Sequence, residues 1–341
     1  MSKLTLKDIA KHFKVSVSTV SKAINDSYEI SEKLKGEIKE YAKAHHYRPN
    51  KVALNLINRN TKTIGVVIPN ILNYFFVQVI YGIEKVTDEK GYSIITCITN
   101  QSLEKETKTL ELLSNGSVDG VIISSAAEEN ELPHHAEHLR ELSENQIPLV
   151  MFDRVTNLID CDKVIVDDFE AGYKATKFFI QTGCRTIAIV TPIVDSVISR
   201  LRIEGYKKAL IENNIPFDDK LVEATDSKED LELTLSLLLN YKKIDGIMAL
   251  DEITAVKVMS IVKSRGYHVP NDISIIGFTN GELSKYVTPS ITMVSQHGMY
   301  IGETVAKILI DRIENKDSDD QFETKTIRTS LVVRDSTLKL E

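Results

Sequence analysis

Four hydroxyl side chains crowd one short stretch, Ser16-Val17-Ser18-Thr19-Val20-Ser21-Lys22, which closes on a cation. As helix formers these residues are poor, because short hydroxylated side chains compete for backbone hydrogen bonds and β-branched valines lose rotamers. A helix that only fills a core gains nothing from them. A helix lying in the major groove of DNA does. Hydroxyls reach phosphates and base edges, small side chains permit close approach, and a cation reaches guanine. A second polar set, Asp153, Arg154, Arg202, Asp251 and Gln296, falls just past apolar runs that read as strands. Opposed acidic and guanidinium groups suit a ligand whose hydroxyls both donate and accept, and Tyr74 or Phe75 would pack on a sugar face or a base ring. Plainer alternatives stand beside these. Asp153 and Arg154 could form a salt bridge between lobes, Tyr74 and Phe76 could be core, and Asp251 could simply cap the helix it precedes.

Other chemistries lack their residues. The sequence holds no G-x-x-x-x-G-K-[ST], G-x-S-x-G or H-E-x-x-H pattern, so no enzyme activity and no cofactor are expected. His134-His135-x-x-His138 has metal-ligand spacing, but it lies in a polar, Glu-rich segment without cysteine and reads as solvated surface rather than a metal site. Cys97, Cys161 and Cys184 are far apart and form no C-x-x-C pair, which speaks against zinc ribbons and dithiol redox sites.

Three short helices would position the hydroxyl-rich stretch. Thr5 and Asp8 have capping-box spacing, and Leu6, Ile9, Ala10 and Phe13 share one face of a first helix. Lys14-Val15 makes a turn. Ser16 can cap a second helix with Val17, Val20 and Ile24 at spacings of three and four, and Ser31 opens a third with Leu34, Ile38 and Tyr41. A tight turn between the first two makes a helix-turn-helix unit. Pro49 disfavours helix at Arg48, and the run Val52 to Ile57 is too short to hold as an isolated helix.

From Thr63 the pattern changes to short apolar runs alternating with helical stretches: Ile64–Pro69, Ser93–Cys97, Val118–Ile123 and Pro148–Phe152, then a second series after about Val166. Continuous apolar runs are the mark of buried parallel strands, and two successive β-α series imply two doubly wound α/β lobes. Ligands in such folds lie at the carboxyl ends of strands.

With 341 residues, 42% hydrophobic and 27% charged, the chain suits two or three globular domains. No apolar run approaches a membrane span and the first residues carry no apolar signal core, so a cytoplasmic protein without a membrane partner is expected. The net charge of −7 is unevenly spread: residues 1–60 carry +6 and the remainder −13. A basic head on an acidic body fits a nucleic-acid-binding head, although a basic solvated helix would show the same sign.

The stretches Thr5-Leu6-Lys7-Asp8-Ile9-Ala10, Val15 to Lys22 and Tyr47-Arg48-Pro49-Asn50 resemble the LacI/GalR family of bacterial repressors. The resemblance continues through Asn73-Tyr74-Phe75-Phe76, Phe152-Asp153-Arg154, Arg202 to Tyr206, Gly277-Phe278 and Val333 to Ser336. It implies a helix-turn-helix domain at 1–48, a hinge at 49–60 and an effector-binding and dimerisation body at 61–341 with two lobes of periplasmic-binding-protein type. The chain would cross between lobes three times, giving an N-lobe of about 61–162 plus 293–324 and a C-lobe of about 163–292 plus 325–341. The helix near Met299 to Ile313 would return to the first lobe and a last strand, Thr326 to Arg334, to the second.

By the same resemblance, Val17, Ser18 and Lys22 would face base edges, while Thr5, Ser16, Thr19, Ser21 and Asn25 would contact phosphates. Lysine replaces the arginine usual at Lys22 and lacks its bidentate fork. Ala53 would let the hinge enter the minor groove and Leu56 would wedge a base step, where composition alone would dock the leucines on the body. The effector would meet Tyr74, Phe75, Asp153, Arg154, Arg202, Asp251, Thr279, Asn280 and Gln296. Leu250 stands in place of a usual Asn and Thr279-Asn280 in place of a usual Asp, which implies a less polar pocket. The expected function is that of an operator-binding regulator, a homodimer controlled by a small effector such as a sugar. A nucleobase, a protein co-regulator or, outside regulation, a soluble sugar-binding protein stay open as alternatives. A leucine-rich tetramer helix is not expected after Thr337. Replacing the wedge, Leu56→Ala, should weaken specific operator binding and reduce DNA bending with little change in effector affinity; equal affinity and bending in an electrophoretic bending assay would rule the wedge out.

Overall fold

The computed structural model describes residues 4–45, 47, 60–126, 136–192, 196–225, 228–315 and 321–340. The chain clusters into two units, Met1–Thr61 and Lys62–Glu341. In the first, three helices, α1 (Leu6–Phe13), α2 (Val17–Ile24) and α3 (Glu32–Ala44), enclose a small core of Ile9, Ala10, Val20, Ala23, Ile38 and Ala42. Thr5 and Asp8 form the capping box: the threonine Oγ1 accepts from the Asp8 N–H at 3.3 Å and the carboxylate accepts from the Thr5 N–H at 2.9 Å. Lys14 closes α1 in the left-handed region with φ 52°, and Ser16 caps α2 by accepting from the Thr19 N–H at 3.0 Å. Val20 and Ala23 point α2 into the core, which leaves its opposite face to solvent. Ala53 and Leu56 lie outside the described residues.

The second unit holds two six-stranded sheets. The first comprises β1 (Thr63–Ile68), β2 (Ser93–Ile98), β3 (Gly120–Ile123), β4 (Leu149–Phe152), β5 (Asp162–Val166) and β11 (Thr324–Ile327), ordered β11-β5-β4-β3-β1-β2 and wholly parallel. The second comprises β6 (Ile187–Thr191), β7 (Val222–Ala224), β8 (Gly246–Ala249), β9 (Ser274–Phe278), β10 (Thr292–Ser295) and β12 (Ser330–Val332), ordered β12-β10-β9-β8-β6-β7, with β12 alone antiparallel. Helices cover both faces of each sheet. On the first, α4 (Tyr74–Glu89) and α12 (Gly298–Glu314) pack on one side, with α5 (Leu103–Ser114) and α6 (Glu137–Glu144) on the other. On the second, α7 (Asp168–Gln181) and α8 (Val197–Glu212) oppose α9 (Lys228–Tyr241) and α10 (Glu252–Ser264), and a short α11 (Leu283–Tyr286) follows β9. Neighbours such as Val66 and Val67 enter opposite cores, as the period of two requires. Among the described residues no helix is long and apolar enough to cross a membrane.

The chain crosses between the lobes after β5, after β10 and between β11 and β12. Each crossing lies a few residues beyond the boundary expected from the sequence, at 162, 292 and 324. Strand partners decide the side: Val164 pairs with Phe152, Val294 with Phe278 and Ile327 with Val166. The expected final strand over Thr326 to Arg334 is two strands in two sheets, interrupted at Arg328-Thr329. His138 also departs from expectation. It is buried in α6, where its Nε2 lies 2.8 Å from the Glu106 carboxylate, so it belongs to the lobe interior; His134 and His135 lie outside the described residues.

Both lobes use glycines where their paired helices cross. A Cβ on Gly172 would lie 2.1 Å from the Arg202 carbonyl oxygen, and one on Gly205 would lie 2.0 Å from that of Phe169. Gly82 and Gly302 do the same between α4 and α12. These approaches are closer than any side chain allows, so the crossings require glycine. Gly205→Ala should cost about 1–3 kcal/mol by overpacking, read as a lower urea midpoint. Gly36→Ala, which meets nothing within 4 Å on α3, should instead gain about 0.5–1 kcal/mol.

Candidate functional site

Two groups of residues can act on partners, one in each unit. On the helical unit, Thr5, Ser16, Val17, Ser18, Lys22 and Asn25 are exposed, while Thr19 and Ser21 are partly covered. Ser16 Oγ lies 2.6 Å from Ser18 Oγ and 2.9 Å from Thr19 Oγ1, so the hydroxyls at the start of α2 form one hydrogen-bonded cluster around its N-terminus. Anions are favoured there, because the first N–H groups and the helix dipole point outward. The Lys22 ammonium is ion-paired with Glu29. Both partners are about half exposed, so water competes for the pair and little energy holds the lysine there.

In the second unit a cavity of about 470 Å³ lies between the lobes, at the carboxyl ends of the strands. Seven of the nine residues expected to meet an effector line it: Phe75, Asp153, Arg154, Arg202, Asp251, Thr279 and Gln296. Tyr74 and Asn280 do not. A helix turns by about 100° per residue, and at the start of α4 it is Phe75 and Phe76 that lie against the cavity, so Phe76 is both core and wall. The Asn280 amide oxygen instead accepts from Arg334, and its carbonyl accepts from Gln78 Nε2 at 3.2 Å, a bond between the lobes. Sequence reasoning missed Asn70, Asn73, Gln101, Thr191, Ser196 and Ser199, which keep the walls polar despite Leu250 and Thr279. Their positions just past β1, β2 and β6 carried the same signal as the residues singled out.

Arg202 is fixed before any ligand arrives. Asp168 Oδ1 accepts from its Nε at 2.8 Å and lies 2.7 Å from a terminal nitrogen, and the Leu250 carbonyl accepts from the other at 2.9 Å. Its guanidinium lies 4.2 Å from the centre of the Phe278 ring. Burial pushes the Asp168 carboxyl up, and the charge and hydrogen bonds of Arg202 oppose that rise. Asp153 has no such support: burial and the neighbouring Asp168 push it up to about 6, against Arg154 and Arg202. Neither Asp153 nor Arg154 forms an ion pair among the described residues, so no interlobe salt bridge forms between them. Asp251 caps α10 by accepting from the Thr254 N–H at 2.9 Å, and Thr279 Oγ1 donates to Gln296 Oε1 at 2.9 Å. Several strand ends turn through left-handed backbone: Gln101 (φ 61°), Asp153 (59°), Thr279 (68°) and His297 (55°). For β-branched Thr279 this is strained, a condition that persists where surrounding structure enforces it.

Residues 5–50 match the profile of bacterial regulatory proteins of the lacI family, and residues 176–337 match a periplasmic binding protein-like domain. The chain is 32% identical over 321 residues to the HTH-type transcriptional repressor PurR of Aliivibrio fischeri, covering 92% of this chain and 93% of that one. It belongs to the LacI family of bacterial transcriptional regulators. The ribose operon repressor of Halalkalibacterium halodurans is 32% identical over 343 residues, covering 98% of this chain and 97% of that one. Among solved structures, a LacI family regulator from Enterococcus faecium with bound ribose is 30% identical, with a TM-score of 0.71 over 82% of this chain and all of that one. The lac repressor dimer bound to operator and the anti-inducer ONPF, at 21% identity, shares the fold with a TM-score of 0.84 over 99% of this chain and 100% of that one.

Asp153 gives this LacI-family cleft a pH signature. Its carboxyl is raised from 3.8 to about 6, so between those values the folded chain holds a proton the unfolded chain lacks. The destabilisation is therefore absent below about pH 4 and complete above about pH 6. Asn tolerates the left-handed backbone, so Asp153→Asn should stabilise the free protein by roughly 1–3 kcal/mol near pH 7.5 and by nothing near pH 4, measured by urea melts at both.

Proposed function

We propose that this LacI-family protein binds operator DNA as a dimer through the α2 face, and that a small polyol, a sugar or sugar derivative, bound between the lobes controls that binding. The observation that carries the effector reading is Arg202, pinned by Asp168 and the Leu250 carbonyl with its guanidinium on the cavity wall. A donor fixed in advance loses little freedom on binding, and the acceptors Asp153 and Asp251 with the rings of Phe75 and Phe76 complete the set a sugar needs. The ribose held by the Enterococcus faecium regulator supports a pentose as the first candidate. The exposed Val17, Ser18 and Lys22, with hydroxyls at the start of α2, support base-edge and phosphate contacts respectively. Because the cavity lies between the lobes, a ligand that binds their closed arrangement more tightly would shift the population and with it operator affinity.

A thermal-shift series with monosaccharides, disaccharides and nucleobases tests the reading. A sugar at 100-fold its Kd should stabilise the protein by about 2.7 kcal/mol, and Arg202→Ala should abolish the shift. A nucleobase as the only hit would replace the sugar; a sugar hit untouched by Arg202→Ala would move the site elsewhere.

A further inference from the structure

A second cavity of about 290 Å³ adjoins the first and shares Asp153, Arg154, Ser196 and Ile198 with it. Its walls differ in kind. Val155, Ile165, Val166, Val197, Ile198 and Leu201 make them apolar, and into this surface come Lys163 and Arg154. Lys163 is more than nine-tenths buried. Its ammonium meets only a neutral partner, donating to Asn157 Oδ1 at 3.0 Å, and among the described residues no carboxylate is within ion-pair range of it. The Arg154 guanidinium makes no hydrogen bond or ion pair among the described residues.

The acidic groups nearby do not neutralise these cations. Asp168, on the same wall, is engaged by Arg202, and Asp162 beside Lys163 in sequence is engaged by Arg312 at 2.8 Å. Among the residues that line the cavity Asp153 is the remaining carboxyl; burial and Asp168 disfavour its charge, Arg154 and Arg202 favour it, and it forms no ion pair with Lys163. A buried ammonium with only an amide for company is costly unless something else pairs with it. The start of α8 opens onto the same space through Ser196, Val197 and Ile198, and a helix of 16 residues presents a positive end there.

We propose that the effector extends from the polar cavity into this second one and places there an anionic group, a phosphate ester or a carboxylate, received by Lys163 and Arg154. This rests on the reading of the first cavity as the sugar site, and it names the effector class as an acidic sugar derivative. The apolar walls strengthen the pairing by excluding water, and the polar cavity holds the hydroxyls.

Isothermal titration of the full-length protein with D-ribose, D-ribose 5-phosphate and D-ribonate tests it. One of the two anions should bind at least about tenfold more tightly than ribose, and which one does so separates the ester from the carboxylate. Lys163→Met should remove that advantage and leave ribose binding unchanged, with Lys163→Gln as the second variant should the first not fold. Ribose binding as tightly as both anions, or an advantage that survives Lys163→Met, overturns the anionic subsite and leaves the sugar cleft standing. Arg202→Ala leaving every affinity unchanged would instead remove the sugar cleft. Should none of the three bind, crystals soaked in sodium bromide decide: a bromide against Lys163 Nζ, lost in Lys163→Met, supports the subsite, and its absence overturns it.

Discussion

At the crossing of α7 and α8 two backbones touch where Gly172 and Gly205 leave no side chain between them. That approach fixes the first turns of α8 against those of α7, and so brings Arg202 onto Asp168. A crossing wider by the width of a methyl group would part that pair and free the guanidinium. The geometry of the polar cavity is thus set by a constraint within the lobe, not by the residues that line it. The same device at Gly82 and Gly302 in the other lobe holds α4, which carries Phe75 and Phe76.

The cleft gathers several local conflicts. Thr279 and Asp153 turn through left-handed backbone, Asp153 carries a charge its surroundings resist, and Lys163 is buried beside an amide. Each lowers the stability of the free protein, and each is the kind of local conflict that persists where binding outweighs it. The central strands beneath show no such conflict: β1, β3, β4, β6, β8 and β9 are largely apolar and almost wholly buried.

Much of this was legible in the sequence, for reasons that differ by region. The helical unit was read closely because its signals are local: the Thr5–Asp8 box, the Ser16 cap and apolar spacings of three and four. The apolar runs announced the central strands, and the positions just after them brought seven cavity residues together. What failed was nonlocal. Nothing near Thr326 says that the chain leaves one sheet after Ile327 and joins another at Ser330. The edge strand β7 is too short to show a period, and β5 reads as polar because Asp162 and Lys163 open it. His138 sits among polar neighbours in sequence, and its burial depends on Glu106, which is 32 positions away. Asp168 reads as an ordinary acidic residue in a first helical turn; its role follows only from where Arg202 arrives.

The interleaved lobes bear on how the chain comes into being. The sheet of the first lobe is covered on one face by α12 and ended by β11, and both are encoded after nearly the whole second lobe. As synthesis proceeds from the N-terminus, the strands of the first lobe emerge long before Ile301, Val305 and Leu309 exist to cover Val66 and Phe152. An unfinished chain therefore carries an open apolar sheet face through the making of the second lobe, from β5 at Val166 to α12 at Gly298. For this architecture the ribosome and the factors that attend nascent chains are part of the folding environment, and a message truncated before α12 would yield an aggregation-prone fragment rather than a working half.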